Sequence, residues 1–213
     1  MTSLPIHTCS ALAADFKAVP LPTQRQRHLH DNEPPWTSSM PRLVPLIALI
    51  LLLFMPGQAS AGSLEVTVHS ISAEGVGAPI GSVQAHDSDQ GLVITPTLQG
   101  LSEGEHGFHL HAGDSCDAAM NGEGEMVAGL AAKGHWDPDE TNTHLGPFGN
   151  GHRGDLSKLV VNADGNTTTT VVAPRLSTSD LRGRALVVHA GGDTYSDIPP
   201  LGGGGARIAC GVG

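Results

Sequence analysis

The sequence predicts an all-β fold, an antiparallel sandwich or barrel that carries two long functional loops. Three observations predict it: apolar and polar residues alternate in short segments, turn residues separate those segments, and no long helical period interrupts them. The chain has 213 residues, 28 of them glycine, with 39% hydrophobic and 3% aromatic residues. That composition suits one loop-rich domain, assigned to residues 62–213, with an extension before it.

The first strand begins near Leu64, where Leu64, Val66 and Val68 alternate with Glu65, Thr67 and His69. Segments 80–85 and 92–95 continue the pattern, with turns expected at Gly75-Val76-Gly77 and at 87–91. Gly107-Phe108-His109-Leu110-His111 reads as a strand whose two histidines share one face, because successive side chains alternate. From Ala112 to Asp155 the alternation stops and Gly, Asp and Asn dominate. A stretch that long needs fixed points to be ordered in a compact domain. His135, His144, His152, Asp155 and Cys116 can supply them, since closure entropy grows slowly with loop length. Strand character returns at 158–163, and Asp164-Gly165 signals a hairpin into 166–172. Segment 185–189 is a strand ending on His189, residues 190–205 form the second long loop, and 206–210 close the domain.

Before the domain, Leu43 to Met55 is a short apolar run, preceded by Arg42 and followed by Pro56-Gly57-Gln58-Ala59-Ser60-Ala61. A basic flank, a short apolar core and an Ala-x-Ala end predict a secretory signal peptide over 40–61, cleaved after Ala61. No cysteine follows closely enough to be lipidated, so no stable membrane anchor is expected. Residues 1–39 read as an over-extended start or a long disordered leader, with Met40 as the alternative start. Without residues 1–61, 7 basic side chains face 18 acidic ones, a net charge of −11. So acidic a surface excludes nucleic acid and anionic membranes as expected partners.

The chemistry lies in six histidines, His109, His111, His135, His144, His152 and His189, and one carboxylate, Asp155. Neutral imidazole suits copper and zinc, and a carboxylate can complete a tetrahedral zinc shell. There are enough ligands for two metals. Cys116 and Cys210 are an even pair in an exported domain, which makes a disulfide the default reading and a metal thiolate its competitor.

Five motifs, in order, make residues 64–213 resemble the copper/zinc superoxide dismutases, particularly the exported bacterial branch. They are Gly107–His111, Gly134-His135-Trp136-Asp137-Pro138, Gly151-His152-Arg153-Gly154-Asp155-Leu156, Val188-His189-Ala190-Gly191-Gly192-Asp193, and the run from Gly202 through Arg207 to Gly211. The resemblance implies a Greek-key topology and one copper and one zinc per chain. It implies His109, His111, His135 and His189 on copper, and His144, His152, Asp155 and the shared His135 on zinc. It makes Asp193 the carboxylate that links a copper histidine to a zinc histidine, with Asp197 as the alternative, and pairs Cys116 with Cys210. Arg207 and His135 become the catalytic residues, and superoxide the small-molecule substrate, dismutated to dioxygen and hydrogen peroxide by copper cycling between Cu(II) and Cu(I), with zinc structural. The location implied is periplasmic or secreted, with the oligomeric state open between monomer and homodimer. His106 reads as structural, and Lys133 as a candidate for steering the anion. The alternative function is a non-enzymatic periplasmic store for copper and zinc, which would need neither an anion-holding arginine nor a bridging histidine.

Overall fold

The computed structural model describes residues 62–213, so the expected leader and signal peptide lie outside the described residues. Eleven strands are described: β1 (Ser63–Ser72), β2 (Gly75–Ser88), β3 (Gly91–Leu98), β4 (Gly104–His106), β5 (Phe108–His111), β6 (Ala119–Met120), β7 (Met126–Val127), β8 (Leu159–Val161), β9 (Val171–Ala173), β10 (Ala185–His189) and β11 (Arg207–Val212). One short helix, α1 (Thr178–Leu181), joins β9 to β10. Among the described residues, no helix is long and apolar enough to cross a membrane.

Seven strands form one antiparallel sheet in the order β5-β10-β11-β1-β2-β3-β9, and β4 pairs separately with β8. The sheet curls around a core that includes Val66, Val68, Val83, Leu92, Ile94 and Leu98. Phe108, Leu110, Leu186 and Val188 close that core from β5 and β10. The predicted strands are present, except that 166–172 is a strand only from Val171, and two connections differ from expectation. The first turn falls at Ala73-Glu74, and Gly75–Gly77 already belong to β2, where Val76 pairs with Ile71. The Asp164-Gly165 turn forms, but its second arm makes only an isolated bridge, Val161 with Thr167, and bonds of Thr168 and Thr169 with Val160, without becoming a regular strand. The Thr167 amide donates to Leu98 O (3.1 Å), and its hydroxyl accepts from the Leu98 amide. The chain thereby crosses to β3, with which β9 pairs.

Residues 112–155 carry more regular structure than their composition suggests: the two-residue strands β6 and β7 pair with each other, and a 3-10 turn follows at Leu130–Ala132. The same stretch closes the free edge of β5. Leu110 N donates to Gly154 O (2.9 Å), Trp136 N donates to Leu110 O (2.8 Å), and bridges link His109 with Asp155 and His111 with His135. Gly154 is required there, because a Cβ would collide with the Leu110 carbonyl. An exposed strand edge is thus covered by the loop that brings the remaining candidate ligands. Cys116 and Cys210 form a disulfide with Cα atoms 5.7 Å apart, tying this loop to β11. Closing that 94-residue separation stabilises the fold by about 4–5 kcal/mol on the chain-entropy account.

Candidate metal centre

On β5 and β10 the core-facing positions are Phe108, Leu110, Leu186 and Val188, so the alternate positions face outward. Those positions hold His109, His111 and, at the end of β10, His189. A register shift between Val188 and His189 turns the strand end and sets His189 opposite Arg207. The centre therefore forms on the outer wall of the barrel, beneath the two long loops.

Each ring has one nitrogen committed to a fixed partner, and this decides which nitrogen is left. His111 Nδ1 donates to Lys133 O (2.8 Å) and His189 Nδ1 donates to Gly205 O (3.1 Å). Their Nε2 atoms are therefore acceptors in the neutral rings, yet they face each other at 3.4 Å. His109 Nε2 lies 2.7 Å from Asp193 Oδ2, which leaves its fully buried Nδ1 without a partner. One ring nitrogen from each of His109, His111, His135 and His189 lies within 4.8 Å of the others. Four buried lone pairs converging without a proton between them fit a cation that favours imidazole.

The second set surrounds Asp155. The Nδ1 atoms of His135, His144 and His152 lie 3.0, 2.9 and 3.2 Å from Asp155 Oδ1. A tetrahedron with metal bonds of 2.0–2.1 Å has edges of about 3.3 Å, close to those separations. His144 Nδ1 is buried and, despite its nearness to the carboxylate, is not aligned for a hydrogen bond with it. Both atoms point at a common centre, and the donor set of three imidazoles and one carboxylate fits zinc. His135 contributes to both sets.

Asp193 touches both sets: Oδ2 meets His109 Nε2 and Oδ1 meets His144 Nε2 at 2.8 Å, while the Tyr195 amide donates to Oδ1 (2.7 Å). Asp197, the alternative, accepts instead from the backbone amide of His144 (3.0 Å). Gly202 leaves room for this link, since a Cβ there would meet Asp193 and His144.

Electrostatics keep most rings neutral and ready as ligands. Burial pushes His109 down to about 3, His189 to about 4, and His111 well below its ordinary value. Burial also lowers His135, with Asp155 opposing. His144 is the exception: burial disfavours its charge, but Asp155 and Asp193 on either side lift it to about 9. Burial would raise both carboxyls, yet the surrounding histidines hold Asp155 and Asp193 well below the usual carboxylate range.

The first set opens on a cavity of about 270 Å³ lined by His111, His135, His189, Leu201 and Arg207. The Arg207 guanidinium is half-buried and anchored by donating to the carbonyls of Gly129 and Lys133. Lys133 itself extends an exposed side chain, is not among the cavity's lining residues, and is absent from the ion pairs among the described residues. His106 is structural, as read: its Nδ1 lies 2.7 Å from His189 O and its Nε2 2.9 Å from Ser102 O.

Several contributors carried no sequence signal. The carbonyls of Gly129, Lys133 and Gly205 orient Arg207, His111 and His189, and a carbonyl belongs to every residue. Arg175 grips the carbonyls of Gly151 (2.8 Å) and His152 (2.7 Å) from outside the motifs. Arg184 lies 4.2 Å over the Trp136 ring, which itself packs against the core.

Residues 80–213 match the family model described as copper/zinc superoxide dismutase. A Cu-Zn superoxide dismutase of Escherichia coli K12 is 50% identical over 165 residues, covering 76% of this chain and 95% of the relative. Among solved structures, the Cu/Zn superoxide dismutase from Brucella abortus is 46% identical with a TM-score of 0.69, covering 71% of this chain and 99% of that one. The monomeric copper, zinc superoxide dismutase from Salmonella enterica, solved in solution, is 51% identical with a TM-score of 0.64 over the same shares.

Proposed function

The chain belongs to the copper/zinc superoxide dismutase family, and from this premise we propose that His109, His111, His135 and His189 hold its copper while His135, His144, His152 and Asp155 hold its zinc. The activity is dismutation of superoxide to dioxygen and hydrogen peroxide, with copper and zinc as cofactors. The observation that carries the residue assignment is the pair of acceptor nitrogens, His111 Nε2 and His189 Nε2, facing each other at 3.4 Å in the cavity that Arg207 lines.

When bound, copper supplies one-electron exchange between Cu(II) and Cu(I), and zinc supplies a fixed charge without redox chemistry. Arg207 receives the anion: its guanidinium is tethered through Gly129 and Lys133, so it offers charge-assisted hydrogen bonds at a set place. His135 is the proton carrier. Its Nδ1 is directed at Asp155 and the other histidines of that set, which leaves Nε2 as the atom that takes a proton and delivers it to the reduced product. Asp193 keeps His109 and His144 in register, so the other ligands of both sets stay fixed while His135 exchanges its proton. The −11 charge of residues 62–213 makes the local field of Arg207 and the metals the attractive element for a small anion.

The disulfide fits an exported protein, because such bonds persist in oxidising compartments. Residues 40–61 as a signal peptide cleaved after Ala61 extend that to the periplasm, which N-terminal sequencing of the exported protein checks. The test of the catalytic reading is the superoxide decay rate by pulse radiolysis on protein carrying one copper and one zinc. We expect a rate near the diffusion limit that falls about tenfold or more in Arg207→Ser. A fully loaded protein without activity would leave metal storage as the better account.

A further inference from the structure

Outside the two ligand sets, the segment between Ala112 and Ala132 has an unusual surface. It holds four carboxylates, Asp114, Asp117, Glu123 and Glu125, and no Lys, Arg or His. It also holds two methionines, Met120 and Met126, which are 66% and 48% exposed where the rest of the hairpin is small or polar. They are register partners: β6 and β7 are antiparallel and Met120 lies directly opposite Met126.

The next pair outward, Asn121 and Glu125, is closed by a backbone bond from Asn121 N to Glu125 O (2.8 Å), so Met120 and Met126 occupy a non-hydrogen-bonded position. Opposed side chains at such a position project from the same face with Cβ atoms about 4.5–5.5 Å apart. Two flexible thioethers are thus presented side by side to solvent, on a hairpin held in place. Ala131 N donates to Asp117 O (3.2 Å), Cys116 is bonded to Cys210, and β6 lies against the Leu130–Ala132 turn, whose next residue is Lys133.

We propose that Met120 and Met126 form a second, soft metal site that binds Cu(I) on the surface, separate from the catalytic pair. Thioethers select Cu(I) over zinc and over hard cations, and a low coordination number suits that ion. The four carboxylates add long-range attraction without competing as soft ligands. The site extends the reading that this chain acquires copper, and places a Cu(I)-binding surface on the loop that runs into the catalytic ligands.

The test uses the copper- and zinc-loaded protein, so that the catalytic site is already filled, with Ag(I) as the redox-inert probe. The readout is the NMR shift of 13C-labelled methionine methyl groups. The expected result is that the Met120 and Met126 methyls move together and saturate at one Ag(I) per chain. Met120→Leu or Met126→Leu should weaken binding at the remaining methionine by about tenfold or more, as the second ligand's effective concentration is lost. Methyls that do not move, or a Met126 response unchanged by Met120→Leu, would overturn the site. Dismutase activity of the same samples should be unaffected by either variant, and it reports on the catalytic reading independently.

Discussion

His111 and Arg207 are held by the same acceptor: the carbonyl of Lys133 receives His111 Nδ1 at 2.8 Å and Arg207 Nη2 at 2.6 Å. A ligand of the proposed copper set and the anion-holding arginine therefore share one peptide, and that peptide has a demanding backbone. Lys133 adopts φ 65° and ψ −155°, a region that glycine tolerates and side chains avoid.

Lys133→Gly should therefore raise stability by about 1 kcal/mol, a Tm increase of roughly 2–4 °C, while leaving the carbonyl where it is. Differential scanning calorimetry checks it, and a lower Tm would mean that the lysine stem contributes packing that outweighs the strain.

The Lys133 side chain is a separate question. Lys133→Glu should slow superoxide decay at low ionic strength, with the difference closing above about 0.2 M salt as screening sets in. An unchanged rate and salt slope would remove Lys133 from anion steering.

Asp193 accepts from two rings at once, through Oδ2 to His109 and Oδ1 to His144. Asn at this position keeps one acceptor and turns a donor toward the other ring. Asp193→Asn should weaken zinc binding about 10- to 100-fold, read by competition with a chelator. Unaltered zinc affinity would mean that the loop alone sets the His144 ring.

Gly154→Ala should unseat the loop from β5, because the added Cβ meets the Leu110 carbonyl and not a movable side chain. Faster hydrogen exchange at the amides of Leu110 and Trp136, together with reduced zinc retention, is the expected outcome. Exchange at wild-type levels would show that the loop shifts to accommodate the methyl.

A pH effect distant from the metals is expected at Asp87. Its carboxylate accepts from the Thr178 amide (2.7 Å) and hydroxyl (2.8 Å), and these bonds lower its pKa from the ordinary 3.8. The folded value lies below the unfolded one, so the contribution is complete above about pH 5 and is lost as pH falls through 3.8 toward the folded value. Asp87→Asn should be less stable than wild type at neutral pH, with the gap narrowing below 3.8 in urea melts. A constant gap would assign the loss to altered hydrogen bonding alone.

The strands were legible because alternation reports a half-buried sheet, as at Leu64–His69, and a short apolar, β-branched run reports a fully buried strand, as at Ala185–His189. The candidate ligands were legible because His and Asp are scarce, chemically distinctive and grouped in motifs. What stayed hidden is what the chain does with its backbone. The crossing at Thr167 depends on two bonds to Leu98, 69 residues away in sequence. The choice of ring nitrogen depends on carbonyls, and the Arg175 grip on residues 151 and 152 depends on a fold already formed. Burial of the edge of β5 likewise requires knowing that residues 135–136 and 154–155 return to it.

The carboxylate bridge at Asp193 also ties together the filling of two compartments. A ring fixed by occupancy of one set fixes the shared carboxylate, and with it the ring it presents to the other set. Equilibrium linkage then demands symmetry: whatever factor bound zinc applies to copper affinity, bound copper applies to zinc affinity. Where that factor exceeds one, removal of either metal loosens the hold on the other by the same ratio.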